Sequence, residues 1–579
     1  MTRRRLAVAI ITVVAVIGVF VVRLVDIQVV RADELNANSM DRRAVAQTTY
    51  AARGDIVDKD GNVLAGSVMR YDITVSPKTI PATFTRVDDE GVETEVTLEE
   101  AAAEVARITG QKKAEVLAAF TDNPESDFEY VIQEVPTETM REIRELGIPG
   151  IYPRQRPARI YPGGSVGGNL VGFVGTDGPQ NGLERTEDSC IASEDGSSTY
   201  ERGADGIRLP GSTVTTQEAV DGGTLHTTID YDLQWTVQQT IAEQALAIGA
   251  ESASASVVEV ATGEIRALAD WPSVDPNNVD GTPVTNLGSL AFTTPYEPGS
   301  TFKPMTAAML IDKGVADPMT QVSVPAVWFS PEGNRIADAA PHADLQLTLT
   351  GVIEQSSNVG ISQLATRVSN SDRYDYMRAF GIGSKTEVDF QGESAGLLSE
   401  TWDDQTKYNV SFGQGVSVTG AQMASIYQTL GNGGVRKPLT LVTGCELPDG
   451  TMTDEPSTEE TRVVSEAAAD TSVAMMESVA NTGGLAAQLQ IPGYRVAAKS
   501  GTAEVAAGGV YTSDRVVSVA GLAPAEDPKY AVIVTFVKPS TIRTSAAAAP
   551  TFQKIMTQVL KTYRVTPSST PAPSMPTTW

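Results

Sequence analysis

The sequence predicts an α+β fold of at least two domains behind one N-terminal transmembrane helix. An apolar run follows the first few residues, and a chain of 579 residues is too long for a single core. Strand patterns at both ends of residues 223–564 enclose helical patterns. Because strands from distant parts of a chain can join in one sheet, we expect a sheet built from both ends of this segment and faced by helices.

The N-terminus has the pattern of a membrane anchor. Three arginines lie within residues 1–5, and a mostly apolar run occupies residues 6–30. About 20 apolar residues span a bilayer, and basic residues before the run favour a cytoplasmic N-terminus. No small-residue cleavage site follows, which favours an uncleaved anchor over a cleaved signal peptide. We expect a cytoplasmic tail at 1–5, a single-pass anchor at 6–30 and everything after it outside the cytoplasm.

Residues 31–222 are expected to form a domain of their own. Residues 53–65 have the pattern of two strands joined by an Asp-Gly turn. Residues 98–148 carry apolar side chains at helical spacing. The polar stretch 186–211 has the composition of an irregular loop.

Residues 223–564 are expected to form the larger domain, and residues 565–579 a disordered tail. The tail is rich in Pro, Ser and Thr, which bury too little apolar surface to fold. The domain is predicted to contain a strand at 225–229, a helix at 232–248, a hairpin at 256–269, strands at 516–522 and 530–537, and a helix at 551–563.

Charge and cysteine content exclude several classes of function. The formal net charge of -28 argues against a nucleic-acid partner, which needs a basic face, and indicates a solvated acidic surface. Cys190 and Cys445 are the only cysteines, and His226 and His342 the only histidines, so we expect no metal site and no cofactor. An external compartment permits a disulfide, but the two cysteines are expected in different domains, and their pairing stays open.

The segment 300–303, Ser-Thr-Phe-Lys, predicts an activated serine. Ser300 precedes an apolar helix that runs to about Asp312, and the i, i+3 spacing puts Lys303 on the same face. A lysine whose pKa is lowered by burial can take the proton of a serine hydroxyl. Alone the pattern is weak, because a helix-capping serine beside a solvated lysine has the same spacing.

The segment 356–358, Ser-Ser-Asn, supplies a second hydroxyl and an amide. Ser356 offers a hydroxyl that can relay a proton to a leaving amine, and Asn358 can hold a substrate amide because its side chain both donates and accepts. Taken alone, the segment reads as a polar turn between helices.

The segment 499–502, Lys-Ser-Gly-Thr, follows apolar residues and is expected on a strand. Lys499 with the hydroxyls of Ser500 and Thr502 suits a substrate carboxylate, and Gly501 allows a ligand backbone to approach closely. Strand alternation sends Lys499 to one face and the two hydroxyls to the other, so spacing does not settle how all three reach one ligand.

Taken together and in this order, the three segments resemble those of the penicillin-binding proteins. Residues 297–304 resemble that family's nucleophile segment, and residues 411–415 its glycine-rich strand lead-in. Three further segments resemble the pedestal of the monofunctional, class B type: 53–65, 161–164 and 182–184.

The resemblance covers the chain from the anchor to about Tyr563 and implies its architecture. It implies an extended α+β pedestal of the dimerisation type at 31–222. It also implies a serine-acyltransferase domain, penicillin-binding or β-lactamase-like, at 223–564, in which helices flank an antiparallel sheet. The chain departs from the family by Lys-Ser-Gly in place of Lys-Thr-Gly, and by a polar insertion around Cys190.

The resemblance also implies division-type D,D-transpeptidation of peptidoglycan stem peptides, with septal wall synthesis as the setting. Ser300 would attack the bond between two D-alanines, Lys303 would take its proton, and Ser356 with Lys499 would return a proton to the leaving group. The backbone N–H groups of Ser300 and Thr502 would form the oxyanion hole. Substrate would be held by Asn358, Ser500, Gly501 and Thr502.

Further partners and alternatives follow from the same resemblance. β-Lactams would trap the serine, and a membrane-embedded glycan polymerase and division proteins would be partners. An elongation-type transpeptidase, a D,D-carboxypeptidase, a β-lactamase, and a β-lactam sensor or scaffold without turnover are the alternatives. The cross-link acceptor stays open.

Overall fold

The computed structural model describes residues 2–35, 44–87, 91–201, 209–508 and 510–579. The chain divides into two compact units whose segments alternate along the sequence. The first unit contains Met1–Arg53, Val68–Ala158 and Ser193–Gly222, and the second contains Gly54–Ser67, Arg159–Ala192 and Gly223–Trp579.

The strands of the described residues are, in chain order, β1 (Ala44–Thr49), β2 (Ile56–Val57), β3 (Val63–Val75), β4 (Thr83–Val87), β5 (Glu93–Thr97), β6 (Glu129–Val135), β7 (Ile151–Ile160), β8 (Val174–Gly175), β9 (Gly178–Pro179), β10 (Gly196–Glu201), β11 (Val214–Gln217), β12 (Thr224–Thr227), β13 (Ser252–Glu259), β14 (Ile265–Trp271), β15 (Gln321–Val324), β16 (Val327–Phe329), β17 (Arg335–Ala337), β18 (Leu345–Thr348), β19 (Val435–Arg436), β20 (Val442–Glu446), β21 (Met452–Thr453), β22 (Thr461–Arg462), β23 (Ala497–Ala507), β24 (Val510–Ala523) and β25 (Tyr530–Val537).

The α-helices of the described residues are α1 (Thr2–Val25), α2 (Leu98–Thr109), α3 (Lys113–Thr121), α4 (Thr137–Glu145), α5 (Gly168–Val171), α6 (Gly182–Thr186), α7 (Asp188–Ile191), α8 (Tyr231–Ile248), α9 (Leu290–Thr293), α10 (Lys303–Asp312), α11 (Leu349–Glu354), α12 (Asn358–Ala365), α13 (Asn370–Ala379), α14 (Thr406–Asn409), α15 (Gly420–Gly431), α16 (Glu466–Asn481), α17 (Ala486–Leu489) and α18 (Ala549–Thr562). Short 3-10 turns lie at Val284–Asn286, Gly299–Phe302, Val410–Phe412 and Ser545–Ala547.

The first unit begins with the helix expected to be the anchor. Helix α1 continues as a wider turn over Asp26–Val30, and an 18-residue window within Thr2–Val30 has a mean hydropathy of 2.9. A helix of this length and composition is long enough to cross the apolar core of a bilayer.

The rest of the first unit contains helices where the sequence predicted them, with a strand between two of them. Thr97 caps α2, the Glu100 carboxylate accepts the Thr97 N–H at 2.9 Å, and Gly110 ends the helix at φ 75°. The helical prediction over 98–148 was too long, because β6 interrupts it and pairs antiparallel with β3. The run Tyr130-Val-Ile within β6 suits a strand better than a helix.

The second unit is built on the predicted antiparallel sheet. Its strand order is β14-β13-β25-β24-β23, and every neighbouring pair is antiparallel. A Cβ atom on Gly521 would meet Phe552 of α18, whereas a Cβ atom on Gly431 of α15 would meet Leu522. Because consecutive strand residues point to opposite faces, α18 and α15 cover the two faces, as expected from the resemblance.

The segments 54–67 and 159–192 belong to the second unit, although the sequence analysis assigned them to residues 31–222. Strand β2 pairs in parallel with β12, and the Arg159 guanidinium donates to the Gly54 carbonyl at 2.7 Å. These pairings join the two segments to the later chain.

The disulfide left open by the sequence is formed. Cys190 in α7 and Cys445 in β20 are bonded, with their Cα atoms 5.8 Å apart. Both cysteines lie in the second compact unit, although Cys190 was expected in the segment 31–222 and Cys445 in the segment 223–564. The expected irregular loop at 186–211 also contains α7 and β10, and residues 202–208 lie outside the described part of the chain.

The C-terminal stretch 565–579 forms no helix or strand, but it packs against the second unit and so differs from the predicted disorder. Ser568 accepts the Arg495 N–H at 2.9 Å, and Thr348 donates to the Thr577 carbonyl at 3.1 Å. Backbone pairing and partly buried side chains such as Val565 and Met575 supply the contacts that composition alone did not indicate.

Candidate active site

Ser300 lies in the 3-10 turn Gly299–Phe302, which runs directly into α10. Gly299 has φ 57°, a conformation that glycine adopts without strain, and its N–H donates to the Gly413 carbonyl at 3.0 Å. The Thr301 hydroxyl closes the turn by donating to the Pro298 carbonyl at 2.8 Å. The turn fixes Ser300 while leaving its side chain half-buried.

Lys303 points back over one turn to the serine, as its spacing predicted. Its Nζ lies 2.9 Å from Ser300 Oγ, 2.5 Å from the Ser356 carbonyl oxygen, 3.2 Å from Ser356 Oγ and 2.8 Å from Asn358 Oδ1. A neutral amine has two N–H bonds and one lone pair. Since the two carbonyl-type oxygens can only accept, they take the N–H bonds, and the lone pair is left for the hydroxyls.

Both lysines of the site are fully buried and have lowered pKa values. Desolvation, together with the nearby charge of Lys499, lowers the pKa of Lys303 well below its ordinary value, against a smaller opposing effect of Asp338. Burial lowers the pKa of Lys499 to about 7. At neutral pH Lys303 is therefore suited to accept a proton.

Ser356 links the two lysines from a strained position. Its hydroxyl lies 2.9 Å from Lys499 Nζ and 3.2 Å from Lys303 Nζ. Its φ of 59° is unusual for a residue with a Cβ atom, and such strain persists only where neighbours impose it. Here α11 ends just before Ser356, and α12 begins at Asn358 with Ser357 as its cap.

Asn358 contacts Lys303, in addition to any part in holding substrate. Its Oδ1 faces Lys303 Nζ, and its Nδ2 donates to the Ala337 carbonyl at 3.1 Å. The second contact fixes the amide so that oxygen, not nitrogen, faces the lysine.

Asp338 belongs to the site, and sequence reasoning did not identify it. Its carboxylate accepts from the Ser357 hydroxyl at 2.8 Å and the Val359 N–H at 2.9 Å, and lies 3.1 Å from His342 Nε2. It thereby holds the Ser-Ser-Asn turn from behind. No motif or spacing in a single sequence marks this residue.

The 499–502 segment lies on β23, as predicted, and its side chains alternate between faces. Lys499 is buried and its Nζ also donates to the Ser500 carbonyl at 3.1 Å. Thr502 is exposed, and its hydroxyl accepts the Ser545 N–H at 3.2 Å. Thus Lys499 joins the cluster of Ser300, Lys303, Ser356 and Asn358, whereas no described contact joins the Ser500 or Thr502 hydroxyl to that cluster.

Gly501 is required by the protein's own packing. A Cβ atom there would lie 2.7 Å from Ser518 Oγ, 3.0 Å from the Thr301 methyl carbon and 3.1 Å from the Pro298 carbonyl oxygen. The serine-bearing turn can therefore lie against β23 only because residue 501 has no side chain.

Within the described ranges, no group of three or more His, Cys, Asp or Glu side chains is arranged to hold a metal ion. The arrangement around Ser300 instead offers a hydroxyl, a buried neutral amine beside it and a second hydroxyl bridging to another buried amine. This set is suited to acyl transfer through a serine ester.

Two protein-family models match this chain, one in each half. The family model of the penicillin-binding protein transpeptidase domain matches residues 253–557. The model of the penicillin-binding protein dimerisation domain matches residues 48–227.

Individual relatives are similar over nearly the whole length. The penicillin-binding protein PbpB of Mycolicibacterium smegmatis is 34% identical, over 97% of this chain and 91% of its own. The peptidoglycan D,D-transpeptidase FtsI of Escherichia coli K12 is 32% identical, over 94% and 90%.

Solved structures share the fold. A peptidoglycan synthetase from Bifidobacterium adolescentis has a TM-score of 0.72 at 28% identity and covers 93% of this chain and 100% of its own. Penicillin-binding protein 3 from Mycobacterium tuberculosis, in complex with aztreonam, has a TM-score of 0.69 at 28% identity, over 92% and 100%.

Proposed function

The chain belongs to the class B penicillin-binding proteins of the division type, and we propose a residue-level account of the peptidoglycan D,D-transpeptidation that it performs as a member. The observation that carries the account is the contact of a fully buried Lys303 Nζ with Ser300 Oγ at 2.9 Å. Membership supports assigning residues 31–222 to the pedestal and 223–564 to the transpeptidase domain.

The first half of the reaction forms an acyl-enzyme on Ser300. The hydroxyl oxygen attacks the carbonyl carbon of the D-alanyl-D-alanine bond while its proton passes to the lone pair of Lys303. The backbone N–H groups of Ser300 and Thr502 stabilise the oxyanion that develops. Removing one such donor costs about 3–4 kcal/mol in other acyl-transfer enzymes.

Collapse of the tetrahedral intermediate then releases the terminal D-alanine. The C–N bond breaks, and the leaving nitrogen takes a proton delivered through Ser356, whose hydroxyl contacts both lysine amines. Lys499, with a pKa lowered to about 7, can replace the proton that Ser356 gives up. In the second half an amine of a neighbouring stem peptide attacks the ester carbonyl carbon and gives its proton to Ser356 and Lys499. The bond from that carbon to Ser300 Oγ then breaks, and Lys303 returns its proton to Ser300.

Substrate orientation is assigned to the polar side chains at the mouth of the site. The hydroxyls of Ser500 and Thr502 share one face of β23 by strand alternation and hold the terminal carboxylate. Asn358 has one amide N–H beyond the one donated to Ala337, and it serves the peptide backbone. The absence of a side chain at Gly501 keeps this arrangement compact.

The N-terminal anchor supports a proposal for where the protein acts and what it meets there. The three arginines at the start of α1 favour a cytoplasmic N-terminus, so the chain after residue 30 lies outside the cytoplasm on a single-pass anchor. Peptidoglycan stem peptides and β-lactams meet the protein there. A membrane-embedded glycan polymerase and other division proteins are its proposed partners, as the family resemblance implies.

Exchange of a labelled D-amino acid into a synthetic stem pentapeptide tests the proposal. With an active transpeptidase, D-alanine is released and label enters the peptide at equal rates, because the amine of the labelled D-amino acid resolves the acyl-enzyme. Release without incorporation would indicate a carboxypeptidase, and neither event in the protein with wild-type Ser300 would indicate a scaffold. Ser300→Ala is the matched control that abolishes both.

A further inference from the structure

The last residues of the chain pair with the edge of β18. The Thr348 N–H donates to the Thr577 carbonyl at 3.1 Å, and the Trp579 N–H donates to the Gln346 carbonyl at 3.2 Å. Leu347 and Thr578 form an antiparallel bridge between these two bonds. The segment Pro576–Trp579, here named the C-terminal strap, thus extends the β15–β18 pair by strand addition.

The strap fits a gap that one glycine leaves open. A Cβ atom on Gly351, in the first turn of α11, would lie 1.9 Å from the Thr577 carbonyl oxygen and 2.8 Å from its carbon. Its next neighbour is the flexible side chain of Leu347 at 3.3 Å. Glycine destabilises a helix relative to alanine. The presence of glycine at position 351 is explained by the strap backbone, which passes too close for a side chain.

Thr348 connects the strap to helix α11, which precedes Ser356. The Thr348 hydroxyl is fully buried, donates to the Pro576 carbonyl at 2.7 Å and accepts the Gly351 N–H at 3.1 Å as the cap of α11. Helix α11 is under two turns long and ends two residues before Ser356. A shift at its capped end is therefore passed to the hydroxyl that bridges the two lysines.

We propose that the C-terminal strap is a positioning element of the active site, which clamps the start of α11 so that Ser356 stays between Lys303 and Lys499. The proposal rests on the acyl-transfer function proposed above. The strap touches none of the reacting groups in the described contacts, so it acts through the position of α11.

Deleting Met575–Trp579 tests the strap. We expect the second-order rate of acylation by a fluorescent penicillin, measured well below the melting temperature, to fall on the order of tenfold, since small displacements of catalytic groups have large effects. Hydrogen exchange at residues 349–358 should rise. Adding the peptide of residues 574–579 in trans should restore the rate, a rescue that a general loss of stability would not show.

Gly351→Ala provides a second, opposite-signed test. In the full chain the new methyl group must displace the strap, so acylation should slow as in the deletion. In the deleted chain the same change should raise the melting temperature, because alanine favours a helix over glycine. Ser574→Ala, at an exposed residue just before the deleted stretch, is the control and should acylate at the wild-type rate.

Two outcomes would overturn the proposal. Deletion and Gly351→Ala could both leave the acylation rate within twofold of wild type, or the deletion could slow acylation without rescue by the peptide. Either result counts against the proposal only when penicillin labels the full-length protein normally in the same experiment. A full-length chain that penicillin does not label would instead reject the proposed function.

Discussion

Two buried ammonium groups next to one another would be costly, and the active site avoids this cost by keeping Lys303 deprotonated. Lys303 and Lys499 are both fully buried, and the charge of Lys499 adds to desolvation in lowering the pKa of Lys303. Among the described residues, Asp338 supplies the carboxylate that opposes the lowering of the Lys303 pKa. Burial, not a neighbouring anion or a histidine, therefore turns Lys303 into a base.

Lys303→Ala is expected to slow penicillin acylation by about 10²–10⁴-fold, because a positioned base contributes about that much. The fold should persist with a lowered melting temperature, because the variant leaves the Ser356 carbonyl and Asn358 Oδ1 without their lysine donor. Stopped-flow acylation and thermal unfolding by circular dichroism measure the two effects. Lys313→Ala changes an exposed lysine in the residue following α10 and is the control; normal acylation in Lys303→Ala would reject lysine as the base.

The lowered pKa of Lys499 makes folding stability depend on pH. Between about pH 7 and the ordinary lysine value of 10.5, the unfolded chain binds a proton that the folded chain does not, so the free energy of unfolding rises with pH. Relative to Lys499→Met, the wild type should gain up to about 1.4 kcal/mol per pH unit in this window, and below it the difference should flatten. Urea denaturation of both proteins at pH 7.5, 8.5 and 9.5 measures it, and a difference independent of pH would mean that Lys499 stays charged when folded.

Site residues could be predicted from the sequence where they lie close together along the chain. The i, i+3 relation of Ser300 and Lys303 is a property of any helical turn and was predictable. Asp338 was not, because it reaches the Ser-Ser-Asn turn only through the fold. Gly501 was expected to make room for a ligand, and the atoms that exclude a side chain there belong to Ser518, Thr301 and Pro298.

At the scale of elements, the Cys190–Cys445 bond joins α7 to β20 across a sequence separation of 255 residues. Closing a loop of this length restricts the unfolded chain strongly. Replacing both cysteines by alanine should lower the free energy of unfolding by about 2–5 kcal/mol. The acylation rate below the melting temperature should not change.

Chemical denaturation with and without reductant checks this prediction. Reductant should destabilise the wild type and leave the double variant unaffected. Equal stability of the two proteins under oxidising conditions would contradict it.

Helices and strands were predictable where an apolar pattern repeats over a long segment. The predictions failed for short segments whose structure depends on tertiary partners. Helix α8 and strands β13, β14, β24 and β25 appear where the apolar patterns indicated them. Strand β6 was hidden among helical patterns, because only its pairing with β3 selects the extended state. The C-terminal strap was expected to be disordered, because composition reports apolar content and not an available strand edge.

At the scale of the whole molecule, the chain alternates between its two units up to residue 222, and residues 223–579 all belong to the larger unit. The boundary expected at residue 223 follows the sequence order, whereas the units exchange segments at 54–67 and 159–192. Such exchange is invisible to a linear reading, because it is fixed by pairings such as β2 with β12.

The anchor should be separable from the chemistry. A chain lacking residues 2–30 is expected to leave the membrane fraction and to keep its penicillin acylation rate, because no described contact of the active site involves α1. Fractionation followed by fluorescent penicillin labelling measures both properties. A truncated chain that stays in the membrane, or that loses labelling while remaining folded, would contradict the prediction.

The most direct test of the account is to locate the covalent bond. The protein is incubated with benzylpenicillin at neutral pH, and intact mass spectrometry is followed by peptide mapping of the wild type and of Ser300→Ala. We expect one added penicilloyl group in the wild type, on the peptide containing Ser300, and none in the variant. A penicilloyl group on any other residue, or one that persists in Ser300→Ala, would contradict it.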